Sequence, residues 1–185
     1  MQRRITMKLQ PIIRVKLAKY KENYELENIS DSTAFERYAN QIILTTHQPD
    51  AFNVDDALLN AVCIGGSNDM GLDGICIKLN GLLIHTLQDA KDIIEKYNRA
   101  DIEFIFIQSK YKEKFDSGEY AKFTNGVIDF LGEDHFQPHN SDIDTWLEIK
   151  NYLLSDNVMM CWTHNPDIRL YYVVMGTWEN SPHII

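Results

Sequence analysis

The sequence has no hydrophobic run that could cross a membrane. Its longest apolar stretches, such as residues 102–107, fall far short of the roughly 20 residues that a membrane-spanning helix requires. The N-terminus is basic, but no apolar segment of the kind found in secretory signal peptides follows it. These absences predict a cytoplasmic protein without a membrane partner.

Cysteine is also scarce. The three cysteines, Cys63, Cys76 and Cys161, are scattered and never show the C-x-x-C spacing of metal or redox motifs. An odd, dispersed set of this kind is typical of reduced, packed thiols rather than of a disulfide framework. The sequence therefore favours the reducing cytoplasm over a secreted location.

Motifs for nucleotide binding and for serine hydrolysis are missing. The chain has no P-loop, no G-x-G-x-x-G fingerprint and no G-x-S-x-G elbow. Gly65-Gly66 precedes a predicted strand rather than a helix, so it does not predict a phosphate cradle at a helix N-terminus. His135 and His139 share a loop with Pro138, which favours an ordinary polar loop over a helical His-x₃-His metal site.

The composition is that of an ordinary globular domain. The 185 residues are 44% hydrophobic and 24% charged, which is enough for one α/β domain with a sizeable core. No repeat, low-complexity tract or linker divides the chain, so residues 1–185 are predicted to form a single domain. Nothing follows that could cover the last predicted strand, which suggests an isolated N-terminal domain or a truncated form of a longer protein.

Charge is distributed unevenly along the chain. The net charge of −9 argues mildly against a large nucleic-acid footprint. Residues 1–21 nevertheless contain seven basic residues and no acidic one, which leaves 11 basic and 27 acidic residues in the remainder. A basic N-terminal helix or arm is expected at residues 1–25. It would either contact phosphates or form a solvated helix face or an arm docked on the acidic body.

Hydrophobic periodicity and turn signals predict alternating helices and strands. Strands are expected at residues 73–79, 82–87, 102–110 and 169–176, with Asn80-Gly81 as a two-residue hairpin turn. Helices are expected at residues 10–25, 33–46, 55–62, 88–98, 116–131 and 142–154. This order predicts an α/β fold with a mixed central β-sheet flanked by helices.

Two of the predicted strands carry polar residues where burial is expected. Asp73 lies on the more apolar face of its strand, and Gln108 and Lys110 close an apolar face of the strand at residues 102–110. Buried polar groups cost desolvation energy unless they are paired or bind a ligand. If the two strands pair, one carboxylate, one amide and one ammonium converge at an edge of the sheet.

These residue types suit a metal-dependent phosphodiesterase. The Asp73 carboxylate would hold Mg²⁺ or Mn²⁺, with the Gln108 side-chain oxygen or the Ser109 carbonyl as a second ligand. Lys110 would orient the attacking water and stabilise charge in the transition state. Glu36, on the predicted helix at residues 33–46, would act on the metal or help to polarise the nucleophile.

A short basic cluster follows the predicted site. Lys112 and Lys114 come directly after Lys110 in the sequence. Ammonium groups at such a position are suited to neutralising phosphates. Both lysines are therefore predicted to contact the backbone of a nucleic acid.

Each site residue also has a structural explanation. Asp73 lies close to two glycines and could serve a tight turn. Glu36 could complete a capping box with Thr33 at the start of its helix. Gln108 and Lys110 could mark a strand that runs out into solvent, although the spacing of the whole set favours a site.

The order of the motifs resembles the PD-(D/E)XK, or restriction-endonuclease-like, nucleases. Glu36 comes first, then a Gly-x-Asp motif that ends at Asp73, then Gln108-x-Lys110. Many members carry Asp or Glu where this chain has Gln108, but a Gln-x-Lys form is known in the Mrr-like branch. The resemblance implies a sheet sandwiched between helices and a magnesium-dependent endonuclease site.

The chain is also similar to the N-terminal region of abortive infection phage resistance (AIPR) proteins. The similarity covers approximately residues 30–178 and rests on Phe35-Glu36, Gly71–Ile75, Phe106–Lys110, Phe115-Asp116 and the run from Asn165 to Gly176. It implies a nuclease domain that acts in phage defence by abortive infection. DNA is favoured over RNA as the nucleic acid, and a homo-oligomer is a further expectation.

Two other functions are open at this point. The neutral Gln108 and the overall acidity also fit a non-catalytic nucleic-acid-binding or regulatory module with a degenerate nuclease site. A toxin-like or oligomerising defence component that needs further C-terminal residues is the third candidate. If the site is active, the neutral Gln108 predicts weak affinity for the metal ion in the absence of substrate.

Overall fold

The fold is a four-stranded mixed β-sheet with helices on its faces, which confirms the predicted α/β class. The computed structural model describes residues 9–49 and 56–176. Within these residues the elements are α1 (Leu9–Asn23), α2 (Asp31–His47), α3 (Asp56–Val62), β1 (Gly74–Leu79), β2 (Leu82–Ile84), α4 (Leu87–Tyr97), β3 (Ile102–Lys110), α5 (Ser117–Leu131), α6 (Ser141–Leu153), α7 (Asp156–Met159) and β4 (Asp167–Val174). Among them, no helix combines the length and the apolar character that crossing a bilayer requires.

The strands follow the order β2-β1-β3-β4 across the sheet. β1 is antiparallel to both β2 and β3, whereas β3 and β4 are parallel. Asn80 and Gly81 form the predicted hairpin turn, with φ values of 51° and 86°. Two successive positive φ angles match the twist of the flanking strands, which explains the Asn-Gly pair.

Helices α2 and α5 cover opposite faces of the sheet. On one face, His47 at the end of α2 places its Nε2 atom 2.8 Å from the Tyr171 hydroxyl of β4. On the other face, Phe130 of α5 packs edge-on against Phe106 of β3, with ring centroids 5.3 Å apart. β3 is buried along most of its length, as expected for a central strand with two apolar faces.

Some boundaries differ from the sequence prediction. β1 begins at Gly74, so Asp73 immediately precedes the strand. β2 ends at Ile84 instead of continuing to residue 87, because Thr86 begins α4 as its N-cap. The Thr86 side chain accepts a hydrogen bond from Asp89 N, and the Asp89 carboxylate accepts one from Thr86 N, which is a capping box. The short helix α7 was not predicted from the hydrophobic periodicity of the sequence.

The basic N-terminal helix docks on the rest of the domain. Leu17 and Tyr20 of α1 form a second, smaller core with Phe35 of α2. The Lys21 ammonium lies 2.8 Å from Asp31 Oδ1, and this ion pair joins the two helices. The docked-arm alternative therefore explains Lys21, whereas Arg14, Lys16 and Lys19 are exposed. Three other basic residues of the predicted N-terminal arm, Arg3, Arg4 and Lys8, lie outside the described residues.

Candidate functional site

The pairing of β1 with β3 brings Asp73 into contact with Gln108 and Ser109. Asp73 Oδ2 accepts hydrogen bonds from Gln108 Nε2 at 2.6 Å and from the Ser109 main-chain N–H at 2.7 Å. The Ser109 hydroxyl lies 3.3 Å from the same oxygen. The Asp73 N–H donates to the Ile107 carbonyl at 2.9 Å, which extends the pairing one residue beyond the strand. The convergence of the carboxylate and the amide follows from the side-chain alternation of the two strands.

The Asp73 carboxylate is buried among neutral donors. Asp73 is only 7% exposed, and Gln108 and Ser109 are 2% and 0% exposed. Burial raises the pKa of the Asp73 carboxyl, while the Ser109 N–H and the Lys110 ammonium act in the opposite direction. Neutral donors stabilise a carboxylate but leave its charge in place. Burial therefore disfavours the charged form of Asp73, and a cation bound beside the carboxylate would offset that cost.

Glu36 lies within electrostatic reach of Asp73. Burial raises the pKa of the half-buried Glu36 carboxyl, and the charge of Asp73 raises it further, while the Lys110 ammonium lowers it. Asp69, in the loop before Asp73, also raises the pKa of both groups. Two carboxylates and one ammonium, from Glu36, Asp73 and Lys110, thus share one region at the end of β3.

The capping-box alternative for Glu36 is wrong. Ser30, not Thr33, is the N-cap of α2, and its hydroxyl accepts a hydrogen bond from Thr33 N at 3.1 Å. This cap places Glu36 in the second turn of the helix, too far along to bond the cap residue. Its only hydrogen bond within the described residues is a long one of 3.4 Å from the Ser32 hydroxyl to Oε1. The Glu36 carboxylate is therefore available to the site.

Sequence reasoning missed Asn40, which holds the main chain of Asp73. The Asn40 Nδ2 atom donates to the Asp73 carbonyl at 2.9 Å and to Cys63 Sγ at 3.3 Å. Gly74 permits this approach, because a Cβ atom there would lie 2.6 Å from Asn40 Oδ1. The available signal was a polar residue four positions after Glu36, on the face of α2 that is otherwise apolar.

The loop before Asp73 is held in an unusual shape by α5. Asn68, Met70 and Gly71 have φ values of 61°, 55° and 72°. Non-glycine residues adopt such angles only where the surroundings hold them. The Met70 carbonyl packs so closely on Gly126 of α5 that a Cβ atom there would overlap it. Helix α5 thus fixes the loop that leads into Asp73.

The two lysines predicted to contact a nucleic-acid backbone have different surroundings. The Lys112 ammonium forms an ion pair with Glu119 and lies 3.9 Å from Asp116 Oδ2. Asp116 is the N-cap of α5, and its side chain accepts hydrogen bonds from Gly118 N and Glu119 N. Lys114 is exposed to solvent. Lys114 is therefore better placed than Lys112 to contact a phosphate.

The loop histidines have partners in the protein. His135 Nδ1 lies 2.8 Å from the Asp129 carbonyl, and His139 Nδ1 lies 2.9 Å from Asp144 Oδ1. In the part of the chain that the structure describes, no group of three or more His, Cys, Asp or Glu side chains is arranged to hold a metal ion. The polar-loop interpretation accounts for both histidines.

The residues around Asp73 suit a magnesium ion shared with a substrate. Mg²⁺ is usually bound through one or two carboxylates, with waters and substrate phosphates completing its coordination. Glu36 and Asp73 would supply the carboxylates, and Asp73 Oδ1 is the oxygen not occupied by Gln108 and Ser109. Gln108 differs from the expectation, because its amide nitrogen rather than its oxygen faces Asp73. In this arrangement Gln108 and the Ser109 N–H orient the carboxylate.

Comparison of the chain with protein-family models, with curated proteins and with solved structures gives no significant match. No family is assigned to the chain on this basis. The fold and the site define an α/β domain in which Gln108 and Ser109 hold the buried Asp73 carboxylate at the end of a central strand, with Glu36 and Lys110 close enough for their charges to interact. The resemblance to PD-(D/E)XK nucleases and to AIPR proteins stays a hypothesis.

Proposed function

We propose that the chain is a metal-dependent endonuclease domain that hydrolyses phosphodiester bonds of nucleic acid, with a PD-(D/E)XK-like site. The observation that carries this proposal is the buried Asp73 carboxylate, whose Oδ2 accepts hydrogen bonds only from neutral donors and whose charge raises the pKa of the nearby Glu36 carboxyl. Adjacent carboxylates disfavour each other's ionised form, and a divalent cation removes that cost. Lys110 supplies a single positive charge. A bound cation would balance the remaining negative charge of the two carboxylates.

Each residue then has a defined role. Asp73 and Glu36 would hold Mg²⁺ or Mn²⁺, which supplies charge stabilisation at a phosphoryl oxygen and activation of water. Lys110 orients the attacking water and stabilises the charge that develops on the phosphate. Gln108 and Ser109 fix the Asp73 carboxylate through their hydrogen bonds to Oδ2.

The biological setting that we propose for this activity rests on the hypothesis that the chain resembles AIPR proteins. In that setting the domain acts in the cytoplasm on phage or other foreign nucleic acid, with DNA favoured over RNA, and it works as a homo-oligomer. The exposed Lys114 and the exposed basic residues of α1 would contact the backbone. This basic surface offsets part of the repulsion expected from the net charge of −9.

The test is incubation of DNA and RNA with the protein in the presence of Mg²⁺ or Mn²⁺. We expect the wild type to cleave, and Asp73→Asn and Lys110→Met to lose cleavage. Asp92→Asn and Lys96→Met make the same chemical changes at exposed positions of α4 and serve as matched controls. Equal cleavage by the wild type and Asp73→Asn would contradict the proposal.

A second candidate is a non-catalytic nucleic-acid-binding or regulatory module. The observation in its favour is that Gln108 Nε2 and the Ser109 N–H already satisfy Asp73 Oδ2 without a cation. Under this candidate, salt-dependent binding of nucleic acid survives Asp73→Ala and Lys110→Ala, and no metal ion supports cleavage. The cleavage experiment therefore separates the two candidates.

A further inference from the structure

Packing alone does not explain Asn40, which lies between α2 and the start of β1. The side chain is fully buried, and its Oδ1 atom has no hydrogen-bond partner within the described residues. A buried amide with an unpaired oxygen is less favourable than an apolar side chain of similar size. The presence of Asn40 is therefore explained by its Nδ2 group, which donates a hydrogen bond to the Asp73 carbonyl at 2.9 Å.

Helical geometry connects this contact to Glu36. Side chains four residues apart lie on the same face of a helix, so Glu36 and Asn40 both face the segment that contains Asp73. The Asp73 carbonyl is bound on a second side by the Ile64 N–H at 3.2 Å. Because its main chain is fixed in this way, Asp73 cannot shift relative to α2 without breaking these bonds.

Gly74 is the other half of the contact. A Cβ atom at this position would lie 2.6 Å from Asn40 Oδ1 and 2.9 Å from Nδ2. Any larger residue would push α2 away from β1 and would carry Glu36 with it. The Asn40 and Gly74 pair therefore sets how closely the helix approaches the strand at the site.

We infer that Asn40 is a positioning residue of the candidate site. Its amide ties the main chain of Asp73 to α2 and thereby sets the separation of the Glu36 and Asp73 carboxylates. The inference rests on the proposed function, because this separation matters only if the two carboxylates hold a cation during phosphodiester hydrolysis. Asn40 itself is not placed in contact with the substrate or the cation.

The test compares Asn40→Ser with Trp162→Phe. The control removes a similar bond, from Trp162 Nε1 to the Leu153 carbonyl at 3.1 Å. Trp162 pairs with Ala100, two residues before β3 begins and therefore at the end of the strand opposite to the site. We expect Asn40→Ser to lower kcat by about 10-fold to 100-fold with little change in KM. We also expect about a 10-fold rise in the Mn²⁺ concentration that gives half-maximal protection against unfolding. Trp162→Phe should leave both quantities unchanged.

Two further variants keep the test decisive. In Asn40→Ser/Gly74→Ala the added methyl group fills part of the space left by the amide, so this variant carries the test if Asn40→Ser fails to fold. Its stability should recover while kcat stays low. In a Glu36→Gln background, Asn40→Ser should cause little further loss, because residues that act as a unit are not additive.

The outcomes separate this inference from the proposed function. If the wild type cleaves but Asn40→Ser matches Trp162→Phe, or if its loss adds fully to that of Glu36→Gln, Asn40 is only structural. If the wild type neither cleaves nor responds to Mn²⁺, the proposed function is wrong, and the positioning role of Asn40 fails with it.

Discussion

The two ends of α2 meet charged residues of the sheet in different ways. At the C-terminal end, Glu103 of β3 forms an ion pair with Arg169 of β4 and lies 3.5 Å from His47 Nδ1, and we call these three residues the balanced cluster. In the N-terminal half, Glu36 and Asp73 form what we call the acidic pair, with neutral donors and Lys110 around them. The Glu103 carboxylate has a guanidinium partner, whereas the Asp73 carboxylate accepts hydrogen bonds only from neutral donors.

This contrast separates a carboxylate that the fold pairs with a cation from carboxylates that it leaves without a full positive partner. A carboxylate with a guanidinium partner is accounted for by the structure itself, since the pair offsets part of its desolvation. Two carboxylates near each other are unfavourable, and groups with pKa values perturbed by burial and by a like charge are enriched at functional sites. The same helix thus has a structural contact at one end and a candidate site in its other half.

Among substitutions that compare the acidic pair with the balanced cluster, the largest expected effect is on cleavage. Asp73→Asn removes one charge from the acidic pair and should lower kcat by about 10³-fold, comparable to the loss of a key electrostatic group in other hydrolases. Glu103→Gln makes the matching change in the balanced cluster and should leave kcat unchanged. A gel assay of DNA cleavage with Mn²⁺ measures both. Similar losses in the two variants would remove the distinction between the clusters.

The next effect concerns the loop that leads into Asp73. Gly126→Ala places a methyl group against the Met70 carbonyl, so we expect the free energy of unfolding to fall by about 1–3 kcal/mol. Asn125→Ala, at an exposed neighbouring position of α5, should change it by less than about 0.5 kcal/mol. Urea denaturation measures both values. An unaffected Gly126→Ala variant would show that α5 does not hold this loop.

Stability should respond with opposite signs in the two clusters. Glu103→Gln leaves Arg169 and His47 without a charged partner and should reduce the free energy of unfolding by about 1 kcal/mol. Asp73→Asn removes buried charge while keeping an oxygen that can accept the Gln108 and Ser109 bonds, so it should raise stability by about 1 kcal/mol at neutral pH without metal. Destabilisation by both substitutions would contradict the account of the acidic pair.

The smallest expected effect is the dependence of stability on pH. Burial raises the pKa of both Asp73 and Glu36 in the folded protein, so the folded state holds these protons more tightly than the unfolded chain. Their contribution to stability is therefore fully present below the unfolded pKa values, near pH 4, and is lost as pH rises through the folded values. The advantage of Glu36→Gln/Asp73→Asn over the wild type should grow from about pH 4 to pH 7. An advantage independent of pH would rule out the two carboxyls as its source.

Local pattern predicted that Asp73 and Gln108 would meet on the condition that their two strands pair, and the structure shows that pairing. The apolar run of β3 identified a central strand, and side-chain alternation placed Gln108 on the same face as the acid of the neighbouring strand. The Asn80-Gly81 turn fixed the pairing of β1 with β2. The strand, its side-chain alternation and the turn are predictable because they depend on neighbours in the sequence, whereas the pairing of β1 with β3 joins distant segments.

Other features of the site depend on contacts between distant segments. The N-cap of α2 is a local exception, because both Ser30 and Thr33 have a suitable hydroxyl and the pattern did not show that Ser30 is the cap. The role of Asn40 depends on Gly74, which is far from it in the sequence. The direction of the Gln108 amide depends on the donors already present around Asp73. For Asn40 the sequence shows only a polar residue on an apolar helix face, and this pattern does not identify the partner of the side chain.

The most direct test of the central claim is the effect of Mn²⁺ on the unfolding of the wild type and Asp73→Asn at pH 7.5. If the acidic pair is a cation site, Mn²⁺ at about ten times its dissociation constant should raise the free energy of unfolding of the wild type by about 1.4 kcal/mol. Asp73→Asn should show little response. An unchanged wild type, or an equal response in both proteins, would contradict the assignment of Glu36 and Asp73 as a cation site.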